Sequence, residues 1–395
     1  MRGAPLRPAA AVLAPALALA VLLSGCNQGG NETIVSLTGT APPTPVGSGV
    51  PQAPTTESGT PSAAPTKGSG SGKRAPRVVD TIATDLAVPW GLDFFPDGDA
   101  IVTERDTQRV LRISSGKKHK VSVLGVLSAA DPQGEGGLLG VALSPSFEVD
   151  QTIYFYLTSS TDNRIVRSVL SGGGLTPVEV VLDGIPNGFI HDGGRLAFGP
   201  DGYLYASTGE AGRPALAANK KSLGGKILRI TTEGEPAPGN PFDSPVWSYG
   251  HRNVQGLAFD DRDNLWASEF GQDDVDELNK ITGGADYGWP GVEGPGGSKR
   301  QTDPQQTWDV AEASPSGLAF ANGNLWMAAL RGERVWRVRL KGGKAVDQKS
   351  FFVGDYGRLR TIATAPDGTL WVTTSNRDGR GDPADSDDRI LQLRP

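Results

Sequence analysis

The sequence contains very little sulfur and very little histidine. Among its 395 residues there are one cysteine, Cys26, two methionines and three histidines. A single cysteine excludes intramolecular disulfides and any metal site built from several cysteines. The formal net charge of −6 gives no indication of nucleic-acid binding, and we find no glycine-rich phosphate loop, Ser-His-Asp order or long amphipathic helix. Glycine, in contrast, is abundant: the sequence has 54 glycines, which separate short apolar runs.

The first 26 residues have the pattern of an export signal. Arg2 and Arg7 precede an apolar run over residues 9–22, and Leu23-Ser24-Gly25-Cys26 follows. The run is too short for a comfortable membrane span. The closing tetrapeptide resembles a bacterial lipobox, which implies cleavage before Cys26 and lipid attachment to its thiol. We therefore expect export and anchoring at the outer face of the cell membrane; the alternative is a plain secretory signal with an incidental cysteine.

Residues 27–77 are predicted to be a disordered tether. They are rich in Thr, Pro, Gly, Ser and Ala and have almost no large apolar side chains. Such a composition cannot bury a core. As a random coil the segment would span roughly 40 Å between an anchor and the following domain, residues 78–395.

The domain contains a sixfold repeat. The core of the repeat is Gly-Leu-apolar-Phe-x-Pro-Asp-Gly, followed by an apolar run, a variable loop and a strand similar to Arg-Val-Leu-Arg-Ile. The copies begin near Gly91, Gly137, Gly194, Gly256, Gly317 and Arg360, with closing strands predicted at residues 110–113, 164–170, 226–230, 277–281, 334–340 and 389–393. Short strands with regular turn signals indicate an all-β fold, and repeats of this size are typical of propeller blades. The sequence therefore predicts a six-bladed β-propeller of four-stranded antiparallel blades.

One repeat carries a histidine and a carboxylate at the same end of a hairpin. His191 precedes a strand predicted at residues 195–198, a Gly-Pro-Asp-Gly turn reverses the chain, and the strand at residues 203–207 leads to Glu210. Strand ends remote from the turn are neighbours in an antiparallel hairpin, so His191 and Glu210 are expected at one rim. A histidine there could act as a general base. The simpler alternative is a loop histidine that only hydrogen-bonds backbone.

Equivalent loops of other repeats place more polar residues at the same rim. In a propeller the innermost strands line the channel, and the loops at one end surround its mouth. The residues just before the predicted inner strands are Trp90, Glu135, His191, Arg252, Asn253, Arg358 and Arg360. Their convergence favours a functional site at this mouth over an incidental histidine.

The order of several motifs identifies a family. The most specific are His191-x-Gly-Gly-Arg-Leu and Gly250-His-Arg-Asn-x-Gln-Gly-Leu257; Pro89-Trp-Gly91, Gly136-Gly-Leu-Leu-Gly140 and Tyr287-Gly-Trp-Pro290 accompany them. Together they resemble the soluble aldose (glucose/sorbosone) dehydrogenases that use pyrroloquinoline quinone (PQQ), over essentially all of residues 78–395. The resemblance implies oxidation of aldose sugars at C1 to lactones by hydride transfer to the quinone.

The resemblance also implies roles for individual residues. His191 would be the general base, Glu210 would orient it, and Arg252 would polarise a quinone carbonyl. An always-charged, fork-shaped donor suits an oxygen that becomes anionic in the transition state. Since PQQ carries three carboxyl groups, arginines are expected to bind it, and the implied cofactor-binding residues are Glu135, Arg252, Asn253, Arg331, Arg358 and Arg360.

Calcium is a further implication of the resemblance. Gly271 and Gln272 match positions whose backbone carbonyls bind the calcium of the cofactor, while Glu277 and Tyr287, the latter through its carbonyl, match a structural calcium site. Oxygen ligands of this kind suit calcium. The other acids of the Gly271 loop are interpreted as solvated, and so is the late acidic loop at residues 376–388.

Three residues depart from the family pattern. Glu135 stands where glutamine is usual, Glu210 where aspartate is usual, and Arg331 where lysine is usual. A carboxylate beside an anionic cofactor is unfavourable unless it pairs with an arginine or is protonated. The sequence leaves both alternatives for Glu135 open.

Two other functions stay open at this stage. A calcium-dependent sugar lactonase also uses six blades, but it would centre on a metal-bound carboxylate. A non-enzymatic lipoprotein could bind glycans or proteins at the channel mouth. His251 and His119 are interpreted as structural, and Trp266, Trp326 and Trp371 as packing within blades. The sequence does not identify the electron acceptor.

Overall fold

The computed structural model describes residues 75–395, which form 25 β-strands and two single-turn helices. The strands are β1 (Arg77–Ala83), β2 (Pro89–Phe94), β3 (Ala100–Glu104), β4 (Arg109–Ile113), β5 (Val121–Val126), β6 (Leu138–Leu143), β7 (Thr152–Thr158), β8 (Asn163–Ser171), β9 (Gly174–Leu175), β10 (Glu179–Ile185), β11 (Leu196–Phe198), β12 (Leu204–Ser207), β13 (Lys226–Ile230), β14 (Val246–Tyr249), β15 (Val254–Phe259), β16 (Leu265–Glu269), β17 (Val275–Ile281), β18 (Gln306–Asp309), β19 (Pro315–Ala321), β20 (Asn324–Ala329), β21 (Arg334–Lys341), β22 (Lys344–Phe351), β23 (Leu359–Thr364), β24 (Leu370–Thr374) and β25 (Ile390–Arg394). The helices are α1 (Phe147–Asp150) and α2 (Ala215–Ala218).

The predicted export signal, Cys26 and the tether up to residue 74 lie outside the described residues. Within residues 75–395, no helix has the length and apolar character needed to cross a bilayer.

The strands form six antiparallel sheets, one for each blade. In order from the channel outward these sheets are β2-β3-β4-β5, β6-β7-β8-β10, β11-β12-β13-β14, β15-β16-β17-β18, β19-β20-β21-β22 and β23-β24-β25-β1. The short strand β9 adds a small hairpin to β8. The prediction of a six-bladed propeller with four-stranded blades is confirmed.

The strands predicted to close each repeat are the third strands of their blades, not the outermost ones. The recurrent Arg-Val-Leu-Arg-Ile pattern falls on β4 and its equivalents, whose side chains are mostly buried. Most of the outermost strands have many exposed side chains, as β22 shows, and solvent tolerates many residue types. These strands therefore retain no repeat signature, and periodicity in the sequence does not reveal them.

The sixth blade is completed by the start of the domain. β1 pairs antiparallel with β25, and Arg77 lies opposite Arg394. The last repeat of the sequence supplies only three strands of its blade, so the ring closes by joining the two ends of the domain. Closure in this way leaves the propeller only short, protected sheet edges.

Tight turns and aromatic packing explain why each repeat folds as a blade. In the first copy Gly98 has a φ of +88°, which favours glycine, and its N–H donates to the Phe95 carbonyl at 2.9 Å. Trp266, Trp326 and Trp371 are buried in their strands, as predicted. Trp90 was expected in a loop, but it lies in β2 and is 1% exposed.

The channel is crossed by one arginine from the third blade. Arg195 precedes β11; its Nε donates to the Gln255 carbonyl at 2.8 Å, and its Nη2 donates to Thr361 Oγ1 at 3.1 Å. Its guanidinium also lies 4.3 Å from the Trp90 ring centroid. These contacts join the inner strands of four blades, and they fix the floor beneath the mouth.

Candidate active site

The loops at one end of the channel enclose a cavity of about 480 Å³. This volume lies within the roughly 300–1,000 Å³ range of small-molecule sites. Its wall is mainly basic: the charged residues lining it are Arg105, Arg331, Arg358, Arg360 and Arg380 against Glu135 and Asp378. Four predicted cofactor ligands are therefore brought together here, namely Glu135, Arg331, Arg358 and Arg360. Such a wall suits an anionic ligand.

His191 and Glu210 meet beside this cavity, as the hairpin predicted. The loop between β10 and β11 turns sharply, and His191 itself has a φ of +61°, in the left-handed region that few non-glycine residues adopt. Its Nδ1 hydrogen-bonds to Glu210 Oε1. The imidazole is 11% exposed and the Glu210 side chain 1%. Since Nδ1 is engaged, Nε2 is the ring nitrogen left for a ligand.

The backbone holds this pair in position from several sides. Glu210 N–H donates to the Arg252 carbonyl at 2.9 Å, and Ala211 N–H donates to the His191 carbonyl at 3.0 Å. A Cβ on Gly209 would lie 1.9 Å from the His191 carbonyl oxygen, so only glycine permits this close approach. The longer side chain of Glu210, relative to the usual aspartate, still reaches the imidazole.

Arg252 lies next to the pair, with its side chain partly unsatisfied. Its Nη1 donates to the Phe270 carbonyl at 3.5 Å, while the buried Nε has no hydrogen-bond partner within residues 75–395. Phe270 lines the cavity, so the guanidinium adjoins the cavity wall. Burial lowers the pKa of Arg252, although neighbouring carboxylates oppose this effect. A buried donor without an acceptor is unusual in a folded protein.

Asn253 links two loops of the site. Its Oδ1 accepts the Gly193 N–H at 3.1 Å, and its backbone bridges to Gly209. The side chain therefore ties the loop of His191 to the loop of Glu210.

Of the two alternatives for Glu135, the structure shows pairing with an arginine. Its Oε1 accepts from Arg380 Nη1 at 3.0 Å, and its Oε2 accepts the His191 N–H at 2.9 Å. Burial alone would raise the pKa of Glu135, but these two donors and the charge of Arg380 lower it below its ordinary value. Glu135 is thus an ionised residue that fixes the backbone of His191.

Asp378 organises the arginines that the motifs predicted as cofactor ligands. Arg358 Nη2 donates to Asp378 Oδ2 at 2.9 Å and Arg360 Nη2 donates to the same oxygen at 3.3 Å. Burial lowers the pKa of Arg360 to about 10, so it stays charged at neutral pH. One carboxylate between two guanidinium groups leaves the cluster net positive.

The loop at residues 376–388 is solvated only in its middle, and the prediction of a solvated acidic loop is wrong for its two ends. Asn376, Asp387 and Asp388 are buried, and Asp378 and Arg380 line the cavity. The loop joins β24 to β25, the second and third strands of the sixth blade. In each blade this loop lies at the same end of the channel as the loop before the inner strand, which is the mouth. Asp378, Asp387 and Asp388 are therefore used internally, to pair arginines and backbone donors, whereas Asp382 and Asp385 are exposed.

Replacing Asp378 with asparagine is expected to destabilise the apo protein by about 2 kcal/mol at pH 7, because two buried guanidinium groups lose their counterion. Burial alone would raise the pKa of Asp378, but Arg360 and Arg358 lower it. A carboxyl with a lowered folded-state pKa stabilises above its unfolded pKa, and that contribution disappears as pH falls through the folded-state value.

Urea unfolding of wild type and Asp378→Asn at several pH values measures this effect. The difference should be full at pH 7 and shrink below about pH 3.8, the ordinary aspartate value. Asp347→Asn, which removes a surface carboxylate 3.7 Å from Arg339, is the control and should change little. Equal stability of Asp378→Asn and wild type at pH 7 would contradict the assigned role.

A second histidine–carboxylate pair supports the first. His251 Nδ1 hydrogen-bonds to Glu269 Oε2 at 2.8 Å, and its ring stacks on Tyr287 with centroids 4.6 Å apart. The other oxygen of Glu269 accepts the Arg252 N–H at 2.5 Å. Because the Arg252 carbonyl accepts the Glu210 N–H, the two pairs are joined through one residue. The structural interpretation of His251 is confirmed.

The predicted calcium residues form two neighbouring groups. Gly271 N–H donates to Asp276 Oδ1 at 2.9 Å, and Gln272 N–H donates to Glu293 Oε1 at 2.7 Å. The N–H groups of this loop are therefore tied to protein carboxylates, which leaves the carbonyls to face other ligands. Within residues 75–395, no group of three or more His, Cys, Asp or Glu side chains is placed to hold a metal ion.

Glu277 lies in the second group. Asn279 Nδ2 donates to Glu277 Oε2 at 2.9 Å and to Glu269 Oε2 at 3.3 Å. Burial raises the pKa of Glu277 to about 8, and the charge of Glu269 adds to the effect. The buried Oδ1 of Asn279 has no partner within the described residues. Tyr287 adjoins this group through its stacking on His251.

Sequence comparison identifies relatives of known type. A family model described as Glucose / Sorbosone dehydrogenase matches residues 86–383. The chain is 54% identical to the PQQ-bound aldose sugar dehydrogenase of Streptomyces coelicolor, with 81% of this chain and 98% of that chain covered and a TM-score of 0.79. It is 29% identical over 337 residues to aldose sugar dehydrogenase YliI of Escherichia coli K12, covering 76% of this chain and 91% of the relative. The soluble aldose sugar dehydrogenase of Escherichia coli, solved in its apo form, superposes with a TM-score of 0.72 at 27% identity, covering 81% and 100% of the two chains.

Proposed function

Because this chain belongs to the glucose/sorbosone dehydrogenase family, we propose that it oxidises aldose sugars with PQQ held in the mouth cavity. The relatives support this proposal, since one was solved with PQQ bound and is named an aldose sugar dehydrogenase, as is a second. The observation that carries it is the His191–Glu210 pair beside a cavity whose wall has more arginines than carboxylates.

The charge of the cavity fits a tricarboxylate. Arg358 and Arg360 share Asp378 and keep a net positive charge, and Arg331 is exposed, with no ion pair inside residues 75–395. The buried Nε of Arg252 lacks an acceptor. Anionic carboxylates and quinone oxygens would satisfy these donors. We therefore assign cofactor binding to Arg252, Arg331, Arg358 and Arg360, with Asn253 and Glu135 holding the loops around it.

His191, Glu210 and Arg252 each have a different role in the proposed reaction. PQQ, when bound, supplies the acceptor for the hydride from C1 of the sugar. His191 Nε2 takes the proton of the C1 hydroxyl, and loss of hydride and proton converts the aldose to its lactone. Glu210 keeps Nδ1 oriented and stabilises the imidazolium that forms. Arg252 supplies fixed positive charge where negative charge develops.

Titration with PQQ, followed by its absorbance, and dye reduction by a panel of aldoses test the proposed function. We expect stoichiometric binding and sugar-dependent dye reduction. A protein that binds no PQQ but retains glycans or proteins at its surface would favour the non-enzymatic interpretation. Hydrolysis of sugar lactones without dye reduction would favour the lactonase.

Calcium is part of the proposal. The carbonyls of Gly271 and Gln272 suit the cofactor's calcium, because the N–H groups of their loop are already bonded to carboxylates. Glu277, the carbonyl of Tyr287 and the unpartnered Oδ1 of Asn279 are oxygen donors suited to a second calcium. A cation there would offset the repulsion between Glu277 and Glu269.

Calcium is expected to raise the thermal stability of the apo protein. Binding to the folded state alone stabilises it by about 2.7 kcal/mol when free calcium is 100-fold above Kd. Melting curves in calcium and in excess chelator measure the difference, and Glu277→Gln should reduce it. Asp274→Asn, an acid of the same segment without an assigned calcium role, is the control. Identical melting temperatures in calcium and chelator would count against the site.

The lipid anchor also belongs to the proposal, which Leu23-Ser24-Gly25-Cys26 supports. We expect the wild-type protein to partition with membranes and Cys26→Ser to be soluble. Intact mass spectrometry of the exported protein measures acyl groups directly. An N-terminal fragment without added acyl mass on Cys26 would show that the cysteine is incidental.

A further inference from the structure

A group of cations lies at the far end of the propeller, the end opposite the mouth. Arg77 and Arg394 are opposite each other in the pairing of β1 with β25, and the loop between β4 and β5 adds Lys117, Lys118 and Lys120. We propose that these five residues, the basic patch, dock the domain on a membrane surface of anionic lipids, with the mouth turned away from the bilayer. The inference goes beyond the proposed sugar oxidation and complements the proposed lipid anchor.

The direction of the strands places these cations at the far end. Arg358 and Arg360 line the mouth cavity at the start of β23, so this inner strand runs away from the mouth. Because the blade is antiparallel, β24 returns to the mouth, β25 runs away from it, and Arg394 comes last. β4 is likewise the third strand of its blade, so the loop that follows it also lies at the far end.

One contact joins the two parts of the patch. His119, in the loop between β4 and β5, has its Nε2 3.1 Å from Asp80 Oδ2 of β1. Asp80 is three residues from Arg77, a separation of roughly 10 Å along an extended strand. The loop is also closed on itself, since Ser114 N–H donates to the Lys120 carbonyl at 3.0 Å. The patch is therefore one surface, built on a paired strand and a fixed loop.

The cations of the patch carry charge that the protein does not neutralise. All five are exposed, and none of them forms a salt bridge inside residues 75–395. The carboxylates of the adjoining segments are engaged elsewhere, because Asp80 contacts His119 while Asp97 and Asp99 pair with Arg112. In a chain of net charge −6, this concentration of positive charge is a local feature suited to an anionic surface.

Apolar side chains flank the cations. Val121, directly after Lys120, is 42% exposed, Val123 in the same strand is 51% exposed, and Val79 of β1 is 37% exposed. Protein surfaces that lie on membranes combine cations with apolar side chains, which enter the boundary between headgroups and acyl chains. A soluble polyanion would meet the charges but give these valines no apolar surroundings. The combination therefore favours a lipid surface.

The chain that leads into β1 is basic as well. From residue 58 to residue 79 the sequence contains no acid and has four cations, namely Lys67, Lys73, Arg74 and Arg77. The predicted anchor at Cys26 is thus connected to the domain through a basic segment that reaches the patch at Arg77. A lipid chain together with a polybasic patch attaches a protein to a bilayer more stably than one lipid chain alone.

Co-sedimentation with lipid vesicles tests the patch without the anchor. The protein used is the chain from residue 27 onward, which lacks Cys26 but keeps both ends of the closed ring. It should bind vesicles of three parts phosphatidylcholine to one part phosphatidylglycerol far more tightly than vesicles of phosphatidylcholine alone. High salt should remove the difference, because it screens exposed charges. Equal binding to the two kinds of vesicle overturns the proposal.

Charge reversal locates the binding surface. The triple substitution Lys117→Glu, Lys118→Glu and Lys120→Glu should lower the partition coefficient on the anionic vesicles by on the order of 100-fold, because each cation near such a surface contributes about fivefold. The matched control reverses three exposed cations of the loop between β12 and β13, which lies at the mouth, and should leave the partition coefficient nearly unchanged; they are Arg213, Lys220 and Lys221. An equal loss in both variants would be a response to net charge alone and would overturn the patch.

Energy transfer from a fluorophore to a headgroup dye measures the orientation. Ser115→Cys puts the label beside the patch and Lys221→Cys puts it at the mouth, in a chain that has no other cysteine after Cys26. Transfer should be stronger from residue 115, and equal transfer from both positions overturns the orientation. Binding to immobilised polyphosphate but not to vesicles overturns the membrane partner in favour of an anionic polymer. These measurements use no PQQ, sugar or lipidated cysteine, so their outcome is independent of the proposed oxidation and of the anchor.

Discussion

Replacing His191 with alanine is expected to lower kcat for aldose oxidation by about 10²–10⁴-fold, the usual contribution of a general base. PQQ binding should be nearly unchanged, because the cationic side chains assigned to it lie elsewhere on the cavity wall. The reason is geometric: Nδ1 of His191 is held by Glu210, and Nε2 is the nitrogen that we propose accepts the proton. Dye reduction and PQQ titration of the same preparation measure both quantities.

His119→Ala is the matched control for this experiment. His119 lies in the loop between β4 and β5, outside the mouth, and its Nε2 contacts Asp80 Oδ2 at 3.1 Å. The His119→Ala variant should retain wild-type turnover. If His191→Ala turned over like wild type, another group would have to take the proton, and the assignment of the base would be wrong.

Replacing Arg252 with alanine is expected to weaken PQQ binding and also to lower kcat, by about 10²–10³-fold, as when a donor to a developing anion is removed. The substitution keeps the two backbone contacts of residue 252, its N–H to Glu269 and its carbonyl to the Glu210 N–H. The loss would therefore report on the guanidinium and not on the position of Glu210. PQQ titration and dye reduction separate binding from turnover.

Two further variants sharpen the Arg252 experiment. Arg252→Lys keeps the charge but not the planar fork, so it should recover part of the binding and less of the rate. Arg339→Ala, which removes an exposed arginine of the fifth blade, should match wild type. Full PQQ affinity and full kcat in Arg252→Ala would show that its unpartnered Nε does not face the cofactor.

The contrast between the two main variants distinguishes the proposed roles. A base acts on the sugar proton, so its loss leaves the cofactor site intact. Arg252 is proposed to face both the cofactor and the developing negative charge, so its loss should change both PQQ affinity and kcat. Equal behaviour of His191→Ala and Arg252→Ala would instead indicate a common structural defect, which melting curves of the two proteins would reveal.

The sequence by itself determined the propeller and the central pair of the site. Six copies of one pattern specify six blades, because each copy encodes the buried inner strands and the turn between them. The hairpin around Gly199-Pro200-Asp201-Gly202 placed His191 and Glu210 at one rim, since antiparallel pairing fixes which strand ends are neighbours. Local rules were sufficient for both results.

Only the tertiary structure revealed the ionic network of the mouth. Arg380 pairs with Glu135 across 245 positions of the sequence, and Asp378 joins Arg358 to Arg360 from a loop that carries no repeat signature. The closing strand β1 is equally remote from its partner β25. The Arg380–Glu135 pair arises because the closed ring brings the sixth blade close to the second, which no local pattern of residues encodes. The Asp378 contacts lie within the sixth blade, in a loop that the sequence analysis interpreted as solvated. The repeated pattern of buried residues is therefore sufficient to predict the fold. The electrostatics of the site depend on which distant loops the closed ring brings together.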